Sequence, residues 1–124
     1  MQVRASARGV RMSPRKVKLV VDVIRGRPAA EALDVLRFLP QSAARAVYKV
    51  VRSAMANAEN NYSLDPAALR VAVATADQGP SYPPRYRAKA RGQAGIIKRR
   101  TTHITIIVDD EPDPNQRRKR RPGR

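Results

Sequence analysis

The chain has 124 residues, of which 26 are Lys or Arg and 10 are Asp or Glu, so its formal net charge is +16. That length suits one small domain, and so large a charge on so small a body indicates a polyanionic partner. The chain has no cysteine, which excludes a disulfide framework, a thiolate nucleophile and a cysteine zinc site. The apolar runs are too short to span a bilayer, and we expect no secretory signal.

The chain begins with an alternation that predicts a β-strand over residues 2–8, with a basic outer face and an inner face of Val3, Ala5 and Ala7. Gly9 is expected to end this strand. Ser13 and Pro14 then open a helix, because serine is a favoured N-cap and proline suits the first helical position. Its apolar stripe precedes a stop at Gly26 and consists of Val17, Val20, Val21 and Ile24.

Two further helices follow in the sequence. Pro28 begins a short helix that ends at Pro40, with a buried face of Ala32, Leu33, Leu36 and Leu39. Ser42 is the expected cap of the third and longest helix, over roughly 43–60. Its apolar positions, which predict core and not a ligand site, are Ala44, Val47, Tyr48, Val51, Ala54, Met55 and Ala58.

The second half of the chain contains two segments whose alternation predicts β-strands. In the first, over residues 69–76, the side chains expected to point inward are Leu69, Val71 and Val73, and those expected outward are Arg70, Ala72 and Ala74. In the second, the inward side chains are Ile104, Ile106 and Val108.

A long basic connection separates these two strands, and such connections are usually functional or disordered. If it continues both strands as a hairpin over about residues 79–102, it projects some 30 Å at ~3.3 Å per residue. We therefore expect one domain over residues 1–110 that includes this hairpin. Residues 111–124 are rich in proline and basic side chains, and we expect them to form a disordered basic tail.

The positive charge is concentrated in segments without acidic residues, whereas residues 22–77 hold seven basic and six acidic residues and are nearly neutral. A solvated face is the alternative explanation for a run of charge. Cations near a helix N-terminus are disfavoured by the helix dipole, which favours an external partner for those of the first helix. The cations predicted to bind RNA are Arg4, Arg8, Arg11, Arg15, Lys16, Lys18, Arg85, Arg87, Lys89, Arg91, Lys98, Arg99 and Arg100.

The sequence offers little material for catalysis or for metal binding. His103 is the only histidine, and a lone histidine beside a basic run is more often structural or phosphate-facing than catalytic. The acidic run at residues 109–113 does not converge as a cation cage does, so a solvated turn or an ion pair with the tail is expected. We predict no enzymatic activity, no metal and no cofactor.

Three kinds of binding protein are consistent with the charge. The first kind is an RNA-binding protein. Tyr86 lies among Arg85, Arg87, Lys89 and Arg91, which is typical of a strand that contacts RNA phosphates and stacks one base. The main alternative is a DNA-architectural protein that places the basic arm in the minor groove. A membrane-surface protein would need large apolar anchors where these helices have valine and alanine.

Five blocks of the sequence, in order from about residue 3 to residue 108, resemble the bacterial family of large-subunit ribosomal protein twenty-two. The blocks are Met12-Ser13-Pro14-Arg15-Lys16-Val17, Asp22-Val23-Ile24-Arg25-Gly26, Ser53-Ala54-Met55-Ala56-Asn57-Ala58-Glu59-Asn60-Asn61, Asp77-Gln78-Gly79-Pro80 and Lys98-Arg99-Arg100-Thr101-Thr102-His103-Ile104-Thr105.

The resemblance implies an α+β fold in which three helices pack on a three-stranded antiparallel sheet and a long β-hairpin protrudes. It also implies a structural constituent of the large ribosomal subunit that binds ribosomal RNA and aids subunit assembly. The hairpin would line the nascent-polypeptide exit tunnel. The implied partners are large-subunit ribosomal RNA, neighbouring ribosomal proteins and the nascent polypeptide, with no membrane and no homo-oligomer. The implied location is the cytoplasm, or else an organelle ribosome.

The resemblance also assigns roles to individual residues. Carried over motif by motif, the RNA-facing positions are Ser13, Arg15, Lys16, Lys98, Arg99, Thr101, Thr102 and His103. The hairpin tip that would line the tunnel is expected at Ala88, Lys89, Ala90, Arg91 and Gly92.

Overall fold

The structure is a computed structural model that describes residues 1–81 and 85–111. Within these ranges the elements are, in chain order, β1 (Gln2–Val10), α1 (Pro14–Ile24), α2 (Ala29–Phe38), α3 (Ala43–Tyr62), β2 (Arg70–Gln78), β3 (Arg85–Ala88), β4 (Ala94–Ile97) and β5 (Thr102–Asp109). Short 3₁₀ turns occupy Pro66–Ala68 and Ala90–Gly92. Of the expected tail, only Glu111 is among the described residues.

The main sheet is antiparallel with strand order β1-β5-β2, so the last strand lies between the first two. Helices α1 and α3 contact this sheet, and α2 packs against α3. The strands β3 and β4 form a separate antiparallel hairpin. The predicted α+β class, with three helices on a three-stranded sheet, is confirmed.

The core depends on large side chains in the central strand and small ones on its neighbours. Ile106 lies between Ala5 of β1 and Ala74 of β2, and Ile104 lies between Ala7 and Ala76. The flanking alanines leave room for each isoleucine side chain. Helices α1 and α3 contact β5 and cover these side chains. The fully buried apolar side chains of α1 and α3 are Val17, Val20, Val21, Ile24, Val47, Val51, Ala54 and Ala58.

One predicted alternation, that of β2, is wrong in its second half. The pairing with β5 shifts by one residue between Val71 and Val73, which is a β-bulge. Beyond the bulge the inward positions change parity, so Ala74 is buried and Val73 is 38 % exposed. Val73, expected inward, therefore lies on the outer face of the sheet, and Ala74, expected outward, lies in the core.

The ends of β1 and α3 and the capping of two helices also differ from the predictions. β1 continues through Gly9, whose φ of +68° accommodates a register shift, and ends at Val10. Ser13 and Ser42 flank α1 and α3 as expected, but neither side chain caps its helix by a hydrogen bond. α3 extends to Tyr62 because Ser63, with a φ of +52°, closes it by donating to the carbonyl of Glu59.

We expect Ile106→Ala to lower the free energy of unfolding by about 3–4 kcal/mol, since the flanking alanines cannot fill the cavity. Ile107→Ala is the matched control, because it deletes the same atoms from the half-buried, opposite face of β5. Urea denaturation of both variants measures the difference. Equal losses in the two variants would contradict this account of the core.

Candidate nucleic-acid interface

A basic groove of about 590 Å³ lies where three segments distant in sequence meet. These segments are the loop and first turn at the start of α1, the first turn of α3, and the chain that enters β5. No acidic residue is among the described residues that line the groove. Its cations are Arg11, Lys16, Lys98, Arg99 and Arg100.

The groove exists because a buried hydroxyl joins its walls. The Oγ1 atom of Thr102 donates to the carbonyl of Met12 at 2.6 Å, and Thr102 also pairs with Val10 across the sheet. These contacts place residues 98–100 next to the start of α1. The structure therefore brings Arg11 and Lys16 together with residues 98–100, which follow them by about 80 residues in the sequence.

Thr101 and Thr102, which the resemblance implied to be RNA-facing, are buried inside the protein. Thr101 is 1 % exposed and Thr102 is fully buried. The Oγ1 of Thr101 donates to the carbonyl of Pro80 at 2.6 Å, so both hydroxyls are used within the protein. Because a buried donor without a partner is costly, these threonines hold the hairpin base and α1 in place. They position the interface and are not part of its surface.

His103 and Ser13 are both half-buried at the edge of this region. The Nδ1 atom of His103 accepts a hydrogen bond from the backbone N–H of Gly9 at 3.2 Å, which ties the β1 bulge to β5. This bond assigns a structural role to one ring nitrogen. That His103 and Ser13 also contact RNA stays a prediction.

The hairpin has two different faces because side chains alternate along each strand. Arg85 and Arg87 are paired with Ile97 and Gly95, and Tyr86 is paired with Ile96. Directly paired residues share a face. One face therefore carries the guanidinium groups, and the other exposes Tyr86 to 73 % and Ile96 to 60 %. None of residues 85–100 is buried, so the hairpin does not pack on the body.

The hairpin tip contains two consecutive residues in the left-handed region. Arg91 has a φ of +60° and Gly92 a φ of +69°. A left-handed conformation is easy for glycine but costs a residue such as arginine about 1–2 kcal/mol. Lys89 closes the turn by donating its backbone N–H to the carbonyl of Gln93 at 2.7 Å. The predicted tip residues 88–92 thus lie at the end of the hairpin.

The remaining predicted cations are exposed on the body. Arg4 and Arg8 lie on β1, and Arg15 and Lys18 lie on α1. Three further exposed cations, Arg45, Lys49 and Arg52, were not predicted as functional because they belong to the nearly neutral segment 22–77. Their spacing of four and three residues in a helix is the signal that identifies them as one face.

The acidic run that begins at the end of β5 forms ion pairs with the amino terminus beside β1. The amino group of Met1 contacts Oδ1 of Asp110 at 2.6 Å and Oδ1 of Asp109 at 3.5 Å. Burial disfavours the charged form of Asp109, but hydrogen bonds from the backbone N–H of Glu111 and from the amino terminus outweigh it and lower its pKa. No group of acidic or histidine side chains suited to a metal ion is found in residues 1–81 and 85–111.

No helix in the described part of the chain combines the length and apolar character that membrane crossing requires. The exposed faces of α1 and α3, the two longest of the described helices, carry cations.

We expect Gly79→Ala to destabilise the hairpin base, because a Cβ at position 79 would lie 2.5 Å from Oγ1 of Thr101 and 3.0 Å from Cε1 of His103. Overpacking of this kind costs about 1–3 kcal/mol. Gly95→Ala is the control, since its Cβ would meet only the flexible end of the Lys89 side chain. Thermal unfolding compares the two, and a midpoint as low for Gly95→Ala as for Gly79→Ala would contradict the prediction.

Comparison with known families identifies a family that matches most of the chain. The model of the family described as ribosomal protein L22p/L17e matches residues 5–109. The matched range includes the whole basic groove, the hairpin and nearly all of the main sheet.

Proposed function

The chain belongs to the ribosomal protein L22p/L17e family, and we propose that it binds large-subunit ribosomal RNA through the basic groove and the hairpin. It is thus a protein of the large ribosomal subunit, in a family whose role is structural rather than enzymatic. The observation that carries the proposal is the groove, where five cations from distant segments meet and where no acidic residue is among the described residues of the lining.

The groove suits the phosphate backbone of a folded RNA. Arginine presents a planar fork that matches phosphate oxygens, and three of the five groove cations are arginines. Placing Lys16, Lys98, Arg99 and Arg100 together is unfavourable for the isolated protein, and a polyanion removes that repulsion. Contacts of this kind fix the position and orientation of a protein on nucleic acid. We propose that Arg4, Arg8, Arg15 and Lys18 extend the same contact over the body.

The hairpin contributes two kinds of contact to the proposed complex. Arg85 and Arg87 would contact phosphates from one face. Tyr86 offers a ring for a splayed base on the other face, as aromatic side chains do in RNA recognition. A thin, exposed arm of this kind enters between RNA segments without displacing much of either. By joining RNA segments, it would aid assembly of the subunit.

We further propose that the hairpin tip lines the nascent-polypeptide exit tunnel, which family membership supports. Small residues keep the end of the arm slender, and they are Ala88, Ala90, Gly92 and Ala94. Arg91 is held at the tip in a conformation that glycine adopts more easily. The proposed partners are therefore ribosomal RNA, neighbouring ribosomal proteins and the nascent chain.

Replacing Arg85, Arg87 and Arg91 together with alanine is expected to reduce the salt dependence of affinity for large-subunit ribosomal RNA. Each lost phosphate contact lowers the slope of log K against log salt by about 0.7–0.9, so the slope falls by about 2 to 3. Filter binding at several salt concentrations measures it.

The matched control replaces the same three arginines with lysine, which preserves the charge and so most of the slope. An unchanged slope in the alanine variant would overturn the phosphate role of the arm. Binding to duplex DNA as tight as binding to the RNA would favour the DNA-architectural alternative instead.

A cysteine at the hairpin tip should crosslink to a cysteine in a stalled nascent chain. The chain has no native cysteine, so Ala90→Cys introduces a single reactive thiol there. Ala67→Cys, exposed on the body in the Pro66–Ala68 turn, is the control and should not crosslink. Failure of the tip variant to crosslink in intact large subunits would contradict the tunnel proposal and leave RNA binding unaffected.

A further inference from the structure

We propose that the exposed cations near the N-terminal end of α3 form a second RNA-contacting surface, which binds the phosphate backbone beside the basic groove. The surface, here called the α3 ridge, consists of Arg45, Lys49 and Arg52. This inference rests on the proposed RNA-binding function and names a further surface for it.

Helix geometry places the three ridge residues in a row. They are spaced by four and then three residues, so they lie on one face and span about 10 Å at 1.5 Å per residue. All three are exposed, whereas the opposite face of α3 is buried against the core through Val47, Val51 and Ala54. The ridge is therefore held on a rigid element of the fold.

The other cations of the nearly neutral segment differ from the ridge because they have partners in the protein. Arg25 contacts Asp22 at 2.9 Å, Arg27 contacts Glu31 at 2.8 Å, and Arg70 donates to the carbonyl of Glu111. Within residues 1–81 and 85–111, the ridge side chains form no hydrogen bond and no ion pair. The neutral segment thus contains three cations that nothing in the described structure compensates.

The first cation of the ridge lies at a position in α3 that is unfavourable for the isolated protein. A helix N-terminus favours acidic side chains, and α3 has none in its first turn but does have Arg45 there. Within the same molecule α2 follows the usual arrangement, with Glu31 in its first turn and Arg37 in its last. The contrast between the two helices indicates that Arg45, the first cation of the ridge, is placed for an external anion.

Grooves lie on both sides of the ridge. One of about 570 Å³ separates it from β1, and another of about 680 Å³ separates it from α2. No acidic residue is among the described residues that line either groove. Arg37 lies over the ring of Tyr48 at the second groove, 5.9 Å from the ring centre, and adds a fourth cation.

The ridge is continuous with the basic groove described above. Ser42 lines that groove and both of the grooves that flank the ridge. A backbone that leaves the groove at the start of α3 would therefore meet Arg45 first and Arg52 last. This continuity favours one extended RNA contact over two unrelated ones.

The chemistry of the ridge favours RNA over an acidic protein segment. Protein interfaces are anchored by large aromatic or aliphatic side chains at their centre. The residues that flank the ridge cations include Ala46, Ser53 and Ala56, which are small. The ring of Tyr48 at the edge of the ridge is half-buried and lies beneath Arg37, so it does not form an exposed central anchor. Small neighbours allow a phosphate backbone to approach the helix closely, and serine hydroxyls donate to phosphate oxygens.

The test replaces Arg45, Lys49 and Arg52 together with glutamine and measures RNA affinity across salt concentrations. Loss of three phosphate contacts should lower the slope of log K against log salt by about 2 to 3. Arg45→Lys with Arg52→Lys keeps the charge and should keep the slope. A second control, Arg25→Gln with Arg27→Gln and Arg70→Gln, removes the same formal charge from cations that already have partners, and should change the slope less.

A tethered probe gives a readout that does not depend on the stability of the triple variant. Ser53→Cys places a single thiol beside the ridge in a chain without native cysteine. A hydroxyl-radical source attached there should cleave the bound RNA, and one attached to Ala67→Cys should give a different pattern or none.

The outcomes separate this inference from the proposed function. If the native protein does not bind the RNA in a salt-dependent manner, the proposed function fails. If it does, but the ridge variant keeps the full slope and Ser53→Cys gives no cleavage, the ridge proposal alone is overturned.

Discussion

The hydrogen bond from the buried hydroxyl of Thr102 to the carbonyl of Met12 joins segments that are 90 residues apart. Together with the bond from Thr101 to Pro80, it fixes the root of the hairpin to the main sheet and to the start of α1. The basic groove follows from this junction, because residues 98–100 come to lie beside Lys16. The hairpin root is packed so closely that a Cβ at position 79 would collide with the side chain of Thr101. The internal hydrogen bonds of two buried threonines thus determine where the groove cations lie.

The fold separates its cations into two groups. Arg25, Arg27 and Arg70 contact carboxylates or carbonyls of the protein. In the second group, cations lie side by side on the hairpin, on the α3 ridge, and at Lys16 and residues 98–100 of the groove. Their mutual repulsion disfavours the compact state. A bound RNA relieves that repulsion, so the free energy that the isolated protein loses at these surfaces is recovered in the proposed complex. The same reasoning explains why the first turns of α1 and α3 lack acidic residues.

The hairpin is the part of the structure that relies least on the core. Its described residues are exposed or half-buried, and its two short strands have mainly their own hydrogen bonds to hold them. A two-stranded hairpin alone is marginally stable in water. Its pairing is supported at the root by the main sheet and, in our proposal, along its length by RNA. The left-handed Arg91 at the tip adds a further local cost that a favourable contact of its side chain would offset.

Much of the architecture follows from sequence pattern alone, since apolar stripes predict α1, α2 and α3, and alternation predicts β1, β2 and β5. Net charge and its segments predict a polyanionic partner, and the five motif blocks predict the family. Sequence could not predict the β2 bulge that turns Val73 outward, because one inserted residue reverses the alternation without changing composition. Nor could it show that Thr101 and Thr102 are buried. It also could not show that Arg25 and Arg27 pair with carboxylates whereas Arg45, Lys49 and Arg52 have no partner among the described residues. Charge and pattern are properties of position along the chain, whereas burial and pairing depend on which segments the fold brings into contact.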